Sequence, residues 1–346
     1  MILFIAKYSK HVASSRQRAY NWSTILKEMG NRAMEIFRFR DFRFRMRWLH
    51  GVRFGIQIAI YFPWADTIVF QKFIPPRWFY FFLKGKRIIF DFDDRIYREE
   101  DCREANSPFH RFLTLSNTVI VSVPAMKNEL EELVPEIKSK LVVIPTLIDL
   151  NRIEMEKRNR IEKTRPKKSI GWIGSSGGLP NLELIEESLF KLFRELNDNL
   201  DIFVVSDRPY IPKNRQLKVQ NIQWSLNNEY RYFTWMDVTV MPLADNQRNR
   251  CKAGFKIIQS LAMGVPVVAS AIGFNNEIIQ HGRNGFLAKS ADDFYTYIRR
   301  LLADDRLRNS MAIEACRSVK KFDYVHWTDI YKNTCLSNDL RKGIET

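Results

Sequence analysis

The chain has 346 residues, of which 45% are hydrophobic and 27% are charged. This composition excludes a disordered chain, and the length favours two domains because one core rarely grows beyond about 250–300 residues. Lys and Arg number 55 against 39 Asp and Glu, a net charge of +16 that indicates an anionic partner. The four cysteines lack the spacing of a disulfide framework or a zinc site, which favours a reducing compartment.

In the first half of the chain, short apolar runs alternate with helical patterns, which predicts a mainly parallel, doubly wound sheet. The first run, residues 2–6, predicts a buried strand and not a signal peptide, because the run stops at Lys7. A helix is predicted at 16–29. Further elements are predicted as strands at 67–70, 87–92, 118–121 and 141–144 and as a helix at 124–133.

The stretch 32–53 interleaves arginines with aromatic residues. Three readings stay open: an anionic membrane interface, a strand with one solvated basic face, or a nucleic-acid contact in which aromatics stack on bases. The chain has no apolar span of about 20 residues, so a membrane contact would be peripheral. The candidate membrane contacts are Arg38, Arg40, Arg43, Arg45 and Arg47.

A charge-rich stretch, 151–168, predicts a linker between domains. A second series of apolar runs follows it, at 169–174, 201–205, 221–224, 238–241 and 265–269. The fold class predicted is therefore α/β, with two Rossmann-like doubly wound domains that face a cleft and bind ligands at the carboxyl ends of their strands. The predicted division is 1–150, the linker 151–168, 169–325, and a helix or tail at 326–346.

Two local features suit phosphate binding. The stretch GSSGG (174–178) follows a predicted strand, so its backbone amides can approach a phosphate. Lys252 and the small Gly254 precede a helical pattern at 255–263, and the start of a helix attracts anions. Neither stretch is a GxxxxGK[ST] loop, which argues against ATP hydrolysis. The missing GxGxxG after the first strand argues against an NAD-dependent enzyme.

The second of these features lies in KAGFKIIQSLAMGVPVVAS (252–270), which is followed by GFNNEII (273–279) and GRNGFL (282–287). This region resembles the nucleotide-sugar-binding region of retaining glycosyltransferases of the GT-B fold, glycosyltransferase family 4 in particular. One branch of that family is also similar at SSRQR (14–18), FDFDD (90–94) and IPTLID (144–149). The resemblance covers most of the chain and is weakest between residues 31 and 84.

The resemblance implies an enzyme of the EC 2.4 class that moves a sugar from a nucleotide-sugar donor to a glycan or lipid-linked acceptor, with retention of configuration. It implies metal-independent transfer without a cofactor, an acceptor bound mainly by residues 1–150, and a donor bound by 169–325. A cytoplasmic enzyme of surface polysaccharide biosynthesis, peripheral on the inner face of the membrane, is the expectation.

Candidate site residues follow from these motifs. The candidate catalytic residues are Lys252, Asp93 and Asp94. The candidate donor contacts are Gly174, Ser175, Ser176, Gly177, Gly254, Phe255, Lys256, Gln259 and Glu277. The candidate acceptor or phosphate contacts are Arg16, Arg18 and His11. Asp93 and Asp94 lack an evident third ligand, so no metal site is predicted.

Two alternatives to a transferase stay open. Many family members carry two glutamates eight positions apart where this chain has Cys251 and Gln259. That departure suggests a non-catalytic GT-B protein that binds a nucleotide sugar or a glycan. The net charge suggests a nucleic-acid-binding protein, although no recognised nucleic-acid-binding motif supports that reading.

Overall fold

The computed structural model describes residues 1–39, 47–158 and 167–336. The chain divides into two compact units. The first unit comprises Met1–Leu147, Cys251–Ala253 and the residues from 324 on; the second comprises Ile148–Arg250 and Gly254–Asp323. Each unit contains a six-stranded parallel sheet with flanking helices, which confirms the predicted α/β class with two Rossmann-like domains.

The sheet of the first unit has the strand order β2-β1-β3-β4-β5-β6. Its strands are β1 (Ile2–Tyr8), β2 (Ala33–Phe39), β3 (Thr67–Gln71), β4 (Arg87–Phe92), β5 (Thr118–Val121) and β6 (Leu141–Val143). Residues 2–6 are all buried, as expected of a parallel strand with helices on both faces. The predicted strands of this half are therefore confirmed. Three interpretations were given for the stretch 32–53. Residues 33–39 of it form a strand, as the alternation indicated.

The sheet of the second unit has the order β12-β11-β10-β7-β8-β9. Its strands are β7 (Lys168–Ile173), β8 (Leu200–Ser206), β9 (Gln220–Gln223), β10 (Val238–Met241), β11 (Val267–Ser270) and β12 (Gly285–Ala288). The predicted strands are confirmed, with bounds that differ by a few residues. Strand β12 was not predicted, because its four residues follow a turn-rich stretch and are too few to show a period.

Helices connect the strands in both units. In chain order they are α1 (Ala13–Ser15), α2 (Asn21–Glu28), α3 (Arg47–Tyr61), α4 (Glu99–Arg103), α5 (Pro108–Leu115), α6 (Pro124–Leu133), α7 (Leu150–Arg158), α8 (Glu186–Leu196), α9 (Gln247–Arg250), α10 (Phe255–Ala262), α11 (Asn275–Ile278), α12 (Ala291–Ala303), α13 (Asp305–Ser318) and α14 (Tyr324–Leu336). A π-helical segment, Arg16–Tyr20, joins α1 to α2, so the predicted first helix is continuous from 13 to 28. Of the predicted linker, 159–166 lie outside the described residues.

The last helix packs on the core of the first unit. The ring of Tyr331 stacks on Trp22 with centroids 3.9 Å apart, and Tyr324 meets Trp22 edge-on at 5.0 Å. The hydroxyl of Tyr324 also donates to the backbone oxygen of Gln17 at 2.8 Å. The helix that begins at residue 324 therefore belongs to the core of the first unit, although it follows the second unit in the chain. Residues 337–346 of the predicted tail lie outside the described part.

Candidate functional site

Two predicted donor contacts come together in the second unit. Gly174 follows β7, and a Cβ atom placed on it would lie 2.7 Å from Lys256 Nζ and 2.2 Å from the ring of Trp172. The Lys256 ammonium lies 5.3 Å from the centroid of the Trp172 ring, a cation–π distance. Only glycine fits at position 174, because any side chain would displace the lysine or the indole.

The helix that carries Lys256 begins as the sequence predicted. Gly254 is its N-cap, with a left-handed φ of 63°. A Cβ atom on Gly254 would lie 2.4 Å from Ile278 Cδ1, so both its conformation and its surroundings require glycine. Phe255 begins α10 and is half-buried. Lys252, also half-buried, groups with the first unit, whereas Gly254 groups with the second.

The glycine-rich loop is held by a carboxylate that the sequence did not point to. The Ser176 amide donates to Asp207 Oδ1 at 2.6 Å, and the Ser176 hydroxyl donates to Oδ2 at 3.0 Å. Burial acts to raise the pKa of Asp207, but these hydrogen bonds outweigh it and the pKa lies below its ordinary value. The Ser176 amide and hydroxyl are thus already paired with a carboxylate in this structure, and the donor contact at Ser176 stays a prediction.

Strand pairing in the sheet brings Asp207 close to Ser176. Ile173 and Val205 pair in the register between β7 and β8, so the loops after these strands start at the same edge. The remaining loop candidates, Ser175 and Gly177, lie on this edge, and a Cβ atom on Gly177 would meet open space. A side chain would thus be accommodated at Gly177 but not at Gly174.

Gln259 has a buried carboxylate partner. Its Nε2 donates to Glu229 Oε1 at 3.0 Å, and both residues are buried. Glu229 brings its carboxylate to Gln259 from 30 residues earlier in the chain. No local pattern around Glu229 signals this contact, so the sequence analysis missed it.

Glu277, the last of the predicted donor contacts, is exposed on the short helix α11. Partial desolvation raises the pKa of Glu277, and the opposing charge of Lys321 does not cancel the effect. Lys321 Nζ also lies 3.3 Å from the backbone oxygen of Glu277. The Glu277 side chain is thus exposed in the second unit, and its donor contact stays a prediction.

In the first unit, Arg18 is a structural residue. Its Nε and Nη2 donate to the two carboxylate oxygens of Asp91 at 2.8 and 3.1 Å, and its Nη1 donates to the carbonyls of Ile144 and Pro145. Arg18 is 1% exposed. Burial raises the pKa of Asp91 to about 6 although the Arg18 guanidinium opposes that change. The Arg18 guanidinium thus makes its hydrogen bonds inside the fold, and its contact with an acceptor or phosphate stays a prediction.

The two predicted catalytic carboxylates share one cation. Lys72 Nζ lies 2.6 Å from Asp93 Oδ1 and 2.5 Å from Asp94 Oδ2. Asp93 is buried and Asp94 is exposed. Burial raises the pKa of Asp93, and the charge of Lys72 acts in the opposite direction. The sequence analysis missed Lys72, which follows β3 on the neighbouring strand.

The remaining acceptor candidates lie in and beside the loop after β1. Arg16 is buried, and its Nη1 donates to the backbone oxygen of Lys10 at 2.9 Å. His11 is exposed, and its backbone amide donates to Ser9 Oγ at 3.4 Å. Arg16 therefore supports the loop that presents His11.

Cys251 is a packing residue beside a buried ion pair. Its Sγ lies 3.7 Å from Glu129 Oε2, and Glu129 also accepts hydrogen bonds from Arg95 and from the Tyr97 hydroxyl. Burial, followed by the charge of Glu129, raises the pKa of Cys251 to about 12, so the thiol is neutral. A glutamate at position 251 would face Glu129, and the thiol avoids that repulsion.

Within the described ranges, no group of three or more His, Cys, Asp or Glu is arranged to hold a metal ion. Likewise, no helix in the described part of the chain is long and apolar enough to cross a membrane. Arg38 is exposed at the end of β2, with its guanidinium 5.2 Å from the ring of Phe73. Among the predicted membrane contacts, Arg40, Arg43 and Arg45 lie outside the described residues, as does the side chain of Arg47.

Residues 167–304 match the family model described as glycosyl transferases group 1. The matched residues lie in the second unit, apart from Cys251–Ala253. This match confirms the predicted resemblance and gives the chain its enzyme class, a glycosyltransferase. No curated protein matches the sequence.

Solved glycosyltransferases share the architecture of the whole chain. The Anabaena protein HepE (Alr3699), in complex with UDP and glucose, is 14% identical, with 97% of this chain and 99% of that chain covered and a TM-score of 0.65. A glycosyltransferase from Rickettsia africae is 16% identical, with 97% and 99% covered and a TM-score of 0.69. WaaG, a glycosyltransferase involved in lipopolysaccharide biosynthesis, is 14% identical, with 97% and 100% covered and a TM-score of 0.67. These likenesses confirm the GT-B fold.

Proposed function

We propose that this glycosyltransferase moves a sugar from a nucleoside diphosphate sugar to a glycan or lipid-linked acceptor, with retention of configuration, in surface polysaccharide assembly. The observation that carries the proposal is the meeting of Lys256 with Gly174 at the start of α10. A lysine ammonium, a backbone without a side chain and the positive end of a helix converge there. Each of these favours a phosphate, and together they suit a diphosphate.

The diphosphate is the leaving group of the reaction, so negative charge grows on it as the bond to the sugar breaks. Lys256 and the first amides of α10 stabilise that charge without a proton transfer. Lys252, just before Gly254 in the chain, is the predicted second cation. Because these groups are already held in place, their effect is largest in the transition state.

The nucleoside is assigned to the region of Gln259 and Glu229. A carboxylate accepts hydrogen bonds from two neighbouring hydroxyls, which is the pattern that a ribose presents. The Gln259 amide orients the Glu229 carboxylate at 3.0 Å. UDP sugars are the first donors to test, since the Anabaena structures contain UDP and UDP-glucose.

The acceptor is assigned to the first unit. Asp93, at the carboxyl end of β4, holds the acceptor hydroxyl, and Lys72 keeps Asp93 ionised against the effect of its burial. The exposed His11 and the loop that Arg16 supports are further acceptor contacts. A lipid-linked acceptor places the enzyme at the cytoplasmic face of a membrane as a peripheral protein.

Donor binding and turnover test the proposal together. UDP, GDP, CMP and NAD, and the sugar conjugates of the first three, are compared by thermal shift, since a specific ligand raises the melting temperature by mass action. Lys256→Met should then lower the rate of donor turnover about 10–100-fold, because a charge-assisted phosphate contact contributes ~1.5–3 kcal/mol. Lys191→Met is the matched control, since Lys191 Nζ also lies over a ring, that of Tyr295, at 4.0 Å.

The outcomes separate the alternatives. Equal effects of the two substitutions would contradict the diphosphate site. Tight donor binding without transfer or donor hydrolysis would favour a non-catalytic sugar-nucleotide-binding protein, the reading that Cys251 and Gln259 suggested. Transfer should persist in excess EDTA, as the family resemblance implies, and loss restored by Mn²⁺ would contradict metal independence.

A further inference from the structure

Helix α3 of the first unit turns an apolar face to solvent. Its half-buried side includes Phe54, Ile58 and Tyr61. The opposite side carries Val52, Ile56 and Ile60, which are spaced four residues apart and are all more than half exposed. A helix on the surface of a soluble protein normally places polar residues there.

A second segment extends this surface. The 3₁₀ turn Phe62–Trp64 follows α3, and the 3₁₀ segment Arg77–Leu83 lies against it, since the ring of Phe79 meets Phe62 edge-on at 5.1 Å. Trp64 is 75% exposed, and Trp78 and Phe81 are each 69% exposed. We call the whole surface the apolar face. Its members are Val52, Ile56, Ile60, Trp64, Trp78, Phe81 and Phe82.

Basic side chains lie beside the apolar face. Lys84 Nζ lies 5.3 Å from the ring centroid of Phe81, and Lys86 Nζ lies 5.0 Å from that of Phe62. Arg53 in α3 and Arg77 in the second segment are also exposed. Helix α3 itself contains no acidic residue. The surface therefore combines exposed aromatic and aliphatic side chains with an excess of positive charge.

We propose that the apolar face docks on an anionic lipid bilayer. Trp and Phe favour the boundary between headgroups and acyl chains, and Lys and Arg beside them favour anionic headgroups. Helix α3 has 15 residues and is about 22 Å long at ~1.5 Å per residue, shorter than the hydrocarbon core of about 30 Å. It therefore lies along the bilayer surface and does not span it.

Charge complementarity favours lipid over a second copy of this chain. Two copies joined through this face would bring two positively charged surfaces together, which costs energy at low ionic strength. An anionic bilayer neutralises the same charge. The proposed function supplies the reason to approach a membrane, which is to reach a lipid-linked acceptor. The inference rests on the proposed function in that respect alone.

Vesicle sedimentation with the full chain tests the docking. Vesicles of phosphatidylcholine alone are compared with an equal mixture of phosphatidylcholine and phosphatidylglycerol, at low and high NaCl. The protein should bind the anionic vesicles more tightly and lose part of that binding at high salt, because salt screens the exposed charges. The apolar contribution should remain.

Two double substitutions address the face itself. Ile56→Gln with Ile60→Gln, and Trp64→Gln with Trp78→Gln, should each lower vesicle affinity roughly tenfold or more, since binding scales with the apolar area buried. The matched control is Ile211→Gln with Ile313→Gln in the second unit, where the side chains are 65% and 56% exposed against 55% and 53% for Ile56 and Ile60. That control should bind as the wild type does. Urea unfolding curves verify that all three variants are folded.

Three results would overturn the docking: no binding of the wild type to anionic vesicles, an equal loss in the control pair, or a dimer of the wild type that the face variants dissociate. The last result would identify the face as an interface between copies. Because the vesicle assay contains no donor, its failure leaves the proposed transfer untouched. A failed transfer assay with intact vesicle binding would reject the reaction and keep the docking surface.

Discussion

Lys72 Nζ lies 2.6 Å from Asp93 Oδ1, and Lys72 makes this contact from a left-handed backbone conformation with a φ of 52°. For a residue other than glycine this conformation costs about 1–2 kcal/mol. The amide of Lys72 donates to the backbone oxygen of Asp91 at 2.9 Å, which holds the strained residue in place. The left-handed conformation of Lys72 thus costs free energy, and it places one ammonium beside both Asp93 and Asp94.

Removal of this ammonium should destabilise the protein in a pH-dependent way. Asparagine tolerates the left-handed region, so Lys72→Asn removes the charge without added backbone strain. Breaking a buried pair typically costs about 3–5 kcal/mol. The pKa of Asp93 is already raised by burial and should rise further without the cation.

The sign of the pH effect follows from proton binding. A carboxyl group whose pKa is raised in the folded state binds more protons when folded, so its contribution to stability falls as pH rises. The deficit of Lys72→Asn should therefore be larger at pH 8 than at pH 5 in urea unfolding. Lys27→Asn removes the exposed partner of Glu35 and should cost less than about 1 kcal/mol. A deficit equal at both pH values would contradict the role of Lys72.

Gln259→Glu should destabilise the protein unless Glu229→Gln is introduced with it. Gln259→Glu places two buried carboxylates where the amide now donates at 3.0 Å, which should cost about 3 kcal/mol or more at pH 7. The cost should shrink at low pH, where one carboxylate binds a proton. Adding Glu229→Gln should restore most of the stability, because the swap rebuilds the hydrogen bond in the opposite direction.

A double-mutant cycle measured by urea unfolding quantifies this coupling. Additive effects of Gln259→Glu and Glu229→Gln would show that the two side chains do not interact in solution. If Gln259 and Glu229 hold the ribose, the swapped double variant should also bind donor better than either single variant.

Gly174 and Gly177 should differ in how well they tolerate a side chain. Gly174→Ala places a methyl group 2.2 Å from the ring of Trp172, and overpacking of this kind costs about 1–3 kcal/mol. Gly177→Ala meets open space and should change stability by less than about 0.5 kcal/mol. Thermal unfolding of the two variants compares them directly.

Donor affinity gives the second readout for the same pair. Because Gly177 lies in the predicted donor loop and accommodates a side chain, its methyl group should weaken donor binding without a loss of stability. Unchanged donor affinity in Gly177→Ala would place the diphosphate away from this loop.

Lys252 should act on the rate of the reaction. If its contact strengthens as the diphosphate leaves, Lys252→Ala lowers kcat about 10–100-fold and raises KM less, as expected for ~1.5–3 kcal/mol of transition-state stabilisation. Lys191→Ala is the control for the loss of one positive charge. A change in KM alone would show that Lys252 contributes only to the general basic field.

Much of the fold is readable from the sequence because parallel strands are buried on both faces. Residues 2–6 and 118–121 form continuous apolar runs, and each run is a strand in the structure. The start of α10 was readable as well, since the helical pattern begins directly after Gly254, whereas the left-handed conformation of Gly254 is known only from the structure. Strand β12 escaped because four residues after a turn show no period.

The site was readable only where its residues are close in the chain. The sequence alone determined the fold class and the enzyme class, and it predicted phosphate contacts at Gly174 and in the stretch 252–256. It could not determine which groups make hydrogen bonds with the candidate site residues. Asp207 occupies the Ser176 amide and Asp91 occupies Arg18, over separations of 31 and 73 residues.

Those partners depend on the order of strands in a sheet. A parallel sheet brings the ends of neighbouring strands to one edge, so Lys72 after β3 meets Asp93 after β4, although 21 residues separate them. Glu229 likewise meets Gln259 only because the second unit folds around both. Local pattern determines which residues form a strand or begin a helix, whereas a buried charge must find its counter-charge wherever the tertiary structure places one.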